Sequence, residues 1–218
     1  MLQQEISKSC AESLRQLTQD TYKIKLKSSH AHELVAAYLG YASKNVMIAD
    51  QKFNIANISR AKIFVLVPEV EIDNRRRKLA GISNSLPDSY QLGEAVYSAL
   101  FSNDQLYKSD FPPFRTFLKF AKHYIENSEQ WKNAFKVVSN HQLDHIFDFN
   151  EETDFVKIIV THTSNRNDGT YLGLGKTTVI LPRVVGKIGF LEPKMNFEKW
   201  SGKERKIFAP SREKHDVK

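Results

Sequence analysis

The spacing of apolar residues changes character once along this 218-residue chain, near residue 135. Before that point apolar side chains recur every three or four positions, the period of a helix with one buried face. Leu2, Ile6, Cys10, Leu14 and Leu17 form one such stripe and predict a helix over 2–18. Leu92, Val96, Ala99 and Leu100 form a second, in YQLGEAVYSALF. Phe114, Phe117, Leu118, Ala121, Tyr124 and Ile125 form a third, broad enough to predict a central helix started by Pro112 and Pro113. Beyond it the runs FVKIIVTHT and KTTVILPRVV are rich in β-branched residues, with the turn-forming SNRNDGTYLGLG between them. KIGF predicts one more short strand. Helices followed by strands imply the α+β class, with a helical N-terminal two-thirds, then a small antiparallel β region and a basic tail. The expected divisions are 1–135, 136–200 and 201–218.

Local signals divide the helical part. Ser29 is a predicted N-cap for HAHELVAAYL, and Gly40 its stop. Ser43 caps a second short helix, KNVMIADQ. Pro68 is predicted in the first turn of PEVEIDNRRRKL, which Gly81 ends. Pro87 and Asp88 open the helix that carries Leu92 and Val96.

The segment HAHELVAAYLGYASKNVMIADQ, within residues 30–51, resembles a helix-turn-helix DNA-binding unit. The resemblance lies in the spacing of Ala36, Gly40 and Val46: a small residue on the first helix, a glycine in the turn, and a β-branched residue packing back from the second helix. Leu39 and Ile48 would add to that packing. The resemblance implies that Ser43 to Gln51 is the recognition helix, entering the major groove. Ser43, Lys44, Asn45 and Gln51 would then face DNA, Asn and Gln suiting adenine and Lys suiting guanine or phosphate.

Charge is distributed in keeping with an acidic partner. From Lys176 to Lys218 there are eleven Lys+Arg and five Asp+Glu, a surplus of six. The whole chain is +7, so the first 175 residues carry 7 − 6 = +1. Such a basic end suits nucleic acid or an acidic protein surface. Lys203, Arg205 and Lys206 are its candidate nucleic-acid contacts, with Tyr171, Phe190, Phe197 and Trp200 as aromatics able either to stack bases or to form a core. Arg75, Arg76 and Arg77 are a second basic spot. The alternative for these three is a solvated helix face with Glu71–Arg75 and Asp73–Arg77 ion pairs.

Several catalytic patterns fail on spacing. Gly175-Lys176-Thr177 resembles the end of a phosphate loop, but the glycine needed at position 170 is Thr170, and a strand pattern follows where a helix should. His141 and His145 have metal-ligand spacing only on a helix, and NHQLDHIFDF suits a strand equally. His162-Thr163-Ser164 is half of a two-histidine phosphoesterase pattern, whose second half is missing. Cys10, the single cysteine, lies on a predicted buried stripe. No catalytic residue, metal or cofactor is therefore assigned.

The lack of paired cysteines and of any apolar run near ~20 residues points to a cytoplasmic chain with no membrane partner. The leading expectation is a nucleic-acid-binding accessory or regulatory protein, here DNA-binding and bacterial. The alternative is a non-catalytic protein-interaction component of a larger bacterial assembly.

Overall fold

Cys10 and Leu14, fully buried on one stripe of α1 (Leu2–Tyr22), sit in the first of two compact units. A computed structural model describes residues 2–101, 112–135, 143–165, 170–201 and 207–208. The first unit comprises Met1–Phe117 with Pro182–Glu192, and the second Leu118–Leu181 with Pro193–Lys218. The division after residue 117, together with the return of 182–192 to the first unit, differs from the sequence boundary at 135.

In the first unit α1 packs on α2 (Ser28–Tyr38) and α5 (Ser89–Phe101), and α2 also contacts α3 (Lys44–Ala49) and α4 (Glu69–Lys78). Leu14, Leu34, Leu92 and Val96 are fully buried among them. Each such side chain contributes about 1.5–3 kcal/mol by leaving water. Burial holds the Cys10 thiol as a packing group: desolvation pushes its pKa up to about 12, outweighing a backbone hydrogen bond that acts the other way. Tyr38 donates to the Ser89 carbonyl, Ser89 donates to Asp73, and Arg76 reaches both Asp73 and the Ser89 hydroxyl. This network ties α2, α4 and α5 together through buried and half-buried polar groups.

The class is α+β, but the order of elements differs from the expected one. β1 (Ile63–Phe64) interrupts the helices. It pairs antiparallel with β5 (Gly189–Phe190), which in turn pairs with Arg183 and Val185 at the end of β4 (Tyr171–Val185). The apolar run AKIFVLV thus finds its partner far along the chain. Phe114, expected in a helix, instead forms a parallel bridge with Val65, its N–H donating to the Phe64 carbonyl at 2.8 Å. The open side of β1 offers backbone groups that must be satisfied, and they take this segment. α6 (Phe117–Glu126) therefore starts three residues later than Phe114. Ser29 lies inside α2, whose N-cap is Lys27 without a side-chain cap. Pro68 is the N-cap residue of α4, not part of its first turn.

The second unit holds α6, α7 (Glu129–Phe135), and a sheet of β2 (Leu143–Glu151), β3 (Phe155–Asn165), the first part of β4, β6 (Lys194–Lys199) and β7 (Ile207–Phe208). The order is β2-β3-β4, with β6 and β7 both on β4. Alternate residues are buried: Val156, Ile158, Val160 and His162 on β3, and Thr177, Val179 and Leu181 on β4. Lys122 of α6 lies over the Phe147 ring of β2, and Trp131 of α7 meets His145 edge-on. That places the helices over this sheet face. Among the described residues no helix is long and apolar enough to cross a membrane.

Candidate nucleic-acid interface

α3 is six residues long and is built by its ends. Gly40 ends the preceding helical segment at φ +80, a left-handed conformation that side chains with a Cβ resist. Ser43 is extended, and its hydroxyl accepts from the Val46 N–H at 3.2 Å. Asp50 closes the other end, its carboxylate accepting from Lys52 N at 2.9 Å and Phe53 N at 3.0 Å. The helix lies against the fold through Met47, which is 1% exposed, and Gln3 donates to the Met47 carbonyl at 2.8 Å.

The inward residue differs from the one the spacing predicts. Val46 is 49% exposed and Ile48 40% exposed, where both were expected to pack on the first helix. The Ser43 cap fixes where α3 starts and hence its rotation, and that rotation turns Met47 inward. Asn45 and Ala49 are exposed as well. Lys44 is half-buried, its backbone N–H donating to Glu33 at 3.3 Å. Gln51 is exposed but lies beyond the helix.

Segment 182–192 adds cations that spacing alone did not find. Lys187 N donates to the Leu39 carbonyl at 3.0 Å, and Gly186 N to the Phe53 carbonyl at 2.9 Å. These bonds seat exposed Lys187 directly against the Gly40 turn, where a Cβ on residue 40 would overlap its side chain. Lys52 and Arg183 both lie over the Phe53 ring, at 5.4 and 5.8 Å. Lys187 thus lies at the turn, Lys44 on α3, and Lys52 and Arg183 at Phe53 just beyond it. The signal available in the sequence was only the basic surplus after residue 176.

The arginines of α4 are placed differently. Arg75 pairs with Glu33 of α2, and Arg76 with Asp73; Arg77 donates to Asn74. The expected Glu71–Arg75 and Asp73–Arg77 pairs give way to these, because α2 brings Glu33 up to Arg75. Arg75 and Arg76 are tied into the fold rather than presented with α3. Lys203, Arg205 and Lys206 lie outside the described residues. Phe190 is fully buried and Trp200 nearly so, so both belong to cores.

The rejected chemical motifs occupy structural positions. Gly175, Lys176 and Thr177 lie within β4, with Gly175 against the β6 backbone and Lys176 paired to Glu198 at 2.9 Å. Gly175 therefore serves strand approach rather than a turn. His145 lies on β2 and faces His162 of β3 across the ladder, Nδ1 to Nδ1 3.2 Å apart. His162 is fully buried, and its Nε2 lies 2.6 Å from the Thr177 hydroxyl. No group of three or more metal-ligating side chains occurs among the described residues. No family model, curated protein or solved structure matches this chain.

Proposed function

We propose that the chain is a DNA-binding accessory or regulatory protein that contacts duplex DNA with α3 and the turn before it. One observation carries this reading: α3 is held by Met47 while Asn45, Val46, Ile48 and Ala49 stay exposed, with exposed Lys187 at the turn before the helix and exposed Lys52 just after it. A short helix standing out of the fold suits the major groove. Lys44, Lys52 and Lys187 supply phosphate contacts, Asn45 and Gln51 supply amides for adenine edges, and Val46 and Ile48 supply apolar contact for thymine methyls. With three phosphate contacts, log K should fall against log salt with a slope of about −2.7.

The test is a titration of random duplex DNA with the full chain and with the Lys44→Ala/Asn45→Ala variant, at two salt concentrations. The reading requires salt-sensitive binding that weakens in a normally folded variant. Equal affinity in both proteins would remove α3 from the interface.

A protein-interaction reading draws on the same helix. Val46 and Ile48 are apolar and exposed, which a protein partner would cover. No DNA binding at low salt would favour it over the first reading.

A further inference from the structure

The outermost strand of the second unit is built in a way that sheet edges usually avoid. Among the described residues β2 pairs with β3 alone, through an unbroken register from Leu143↔Ser164 to Glu151↔Val156. Edges are ordinarily guarded by lysine, proline, a bulge or shortness. LDHIFDFNE contains no lysine, proline or glycine, runs nine residues and has no register shift. Ile146 is 38% exposed and Phe149 41% exposed, on opposite faces. Phe149 stacks on Phe147, so the apolar surface on its face is continuous. The strand is long, unbroken and partly apolar.

Among the described residues, charge is the one guard it carries. Residues 143–154 contain Asp144, Asp148, Glu151, Glu152 and Asp154 and no Lys or Arg, in a chain whose net charge is +7. That charge selects among occupants. A second copy pairing β2 to β2 would set one acidic strand against another, and like charges across a ladder are destabilising. A strand carrying cations meets no such penalty and gains from each carboxylate.

We propose that β2 is a docking edge that receives an extended basic segment of another protein as an added strand. Main-chain bonds to β2 would supply affinity, and alternate side chains would supply selectivity. The strand that fits is two-faced. On one side its lysines or arginines lie beside Asp148 and its neighbours, and on the other its apolar residues cover Phe149. This surface is acidic and made from the second unit, so it stands independently of the DNA reading of α3.

The experiment uses the full chain and a labelled short peptide alternating lysine and valine, with a glutamate–valine peptide as control. Binding is followed by fluorescence anisotropy, and its location by hydrogen exchange of the β2 amides. The lysine–valine peptide is expected to bind and to slow exchange over 143–151. Asp148→Lys should weaken it at least about tenfold, and Asp148→Asn by a smaller factor, which keeps the test open if the lysine variant misfolds. Equal binding of the glutamate peptide, protection confined to other segments, or unchanged affinity in a folded Asp148 variant would overturn the proposal. So would a dimer of the chain alone in which the β2 amides are already protected.

Discussion

His162 and His145 face each other across the β2–β3 ladder with their Nδ1 atoms 3.2 Å apart. The pair is anchored on the far side by Thr177, whose hydroxyl lies 2.6 Å from His162 Nε2. Burial first, and the neighbouring His145 second, push the His162 pKa down to about 3.

That depression sets a pH dependence. The unfolded chain takes up a proton at His162 near pH 6.5, while the folded chain does not until about pH 3. The unfolded state therefore binds more protons between those values, and stability falls as pH falls through that window. The slope from this group is at most about 1.4 kcal/mol per pH unit. Trp131 and Trp200, the chain's two tryptophans, both lie in the second unit, so their fluorescence reports its unfolding. Urea titrations from pH 7 to 4 should show midpoints that fall with pH, and His162→Leu should flatten the fall. An equally steep fall in the variant would assign the effect to other groups.

Gly40 and Gly81 separate backbone strain from crowding. Both have positive φ, +80 and +71. Nothing lies within 4 Å of a Cβ built on Gly81, whereas one on Gly40 overlaps the Lys187 side chain. Gly81→Ala should cost about 1–2 kcal/mol, the backbone term alone. Gly40→Ala should cost about 2–4 kcal/mol, because Lys187 must also move. Urea unfolding followed by far-UV circular dichroism measures both, and equal losses would show that the Lys187 contact is readily displaced.

Met47 and Val46 test which residue anchors α3. Met47→Ala empties a buried site and should cost about 2–5 kcal/mol. Val46→Ala alters an exposed position and should shift stability by less than about 0.5 kcal/mol. The reverse ranking in thermal unfolding would restore the packing that the Ala36–Gly40–Val46 spacing predicts.

What the sequence made legible was local. The Cys10–Leu14 and Leu92–Val96 stripes mark real buried faces because helix periodicity needs only neighbours in sequence. Ser43 and Gly40 were legible because caps and left-handed turns have strong residue preferences. The failures are long-range or phase errors. Ile63 and Phe64 form a strand only because Phe190 and Gly189 arrive to pair with them. Phe114 left its helical stripe to bond Phe64 and Leu66. Six residues of α3 make under two turns, too few for apolar spacing to fix which side faces in, so Val46 and Met47 exchanged roles. Lys187 joined the candidate interface through tertiary contact alone.

Lys187 and Arg75 separate the cation exposed at the Gly40 turn from the one paired with Glu33. If α3 and its turn hold DNA, Lys187→Ala should weaken binding across all sequences and reduce the salt slope by about one, leaving stability nearly unchanged. Arg75→Ala should do the opposite. It removes the cation from a partly buried carboxylate, and that costs stability because Glu33 loses its charged partner and keeps only the Lys44 N–H. The DNA salt slope should stay as it was. Salt-dependent titrations paired with thermal unfolding give both numbers for each variant. A reduced slope in Arg75→Ala together with an unchanged one in Lys187→Ala would move the interface from α3 to α4.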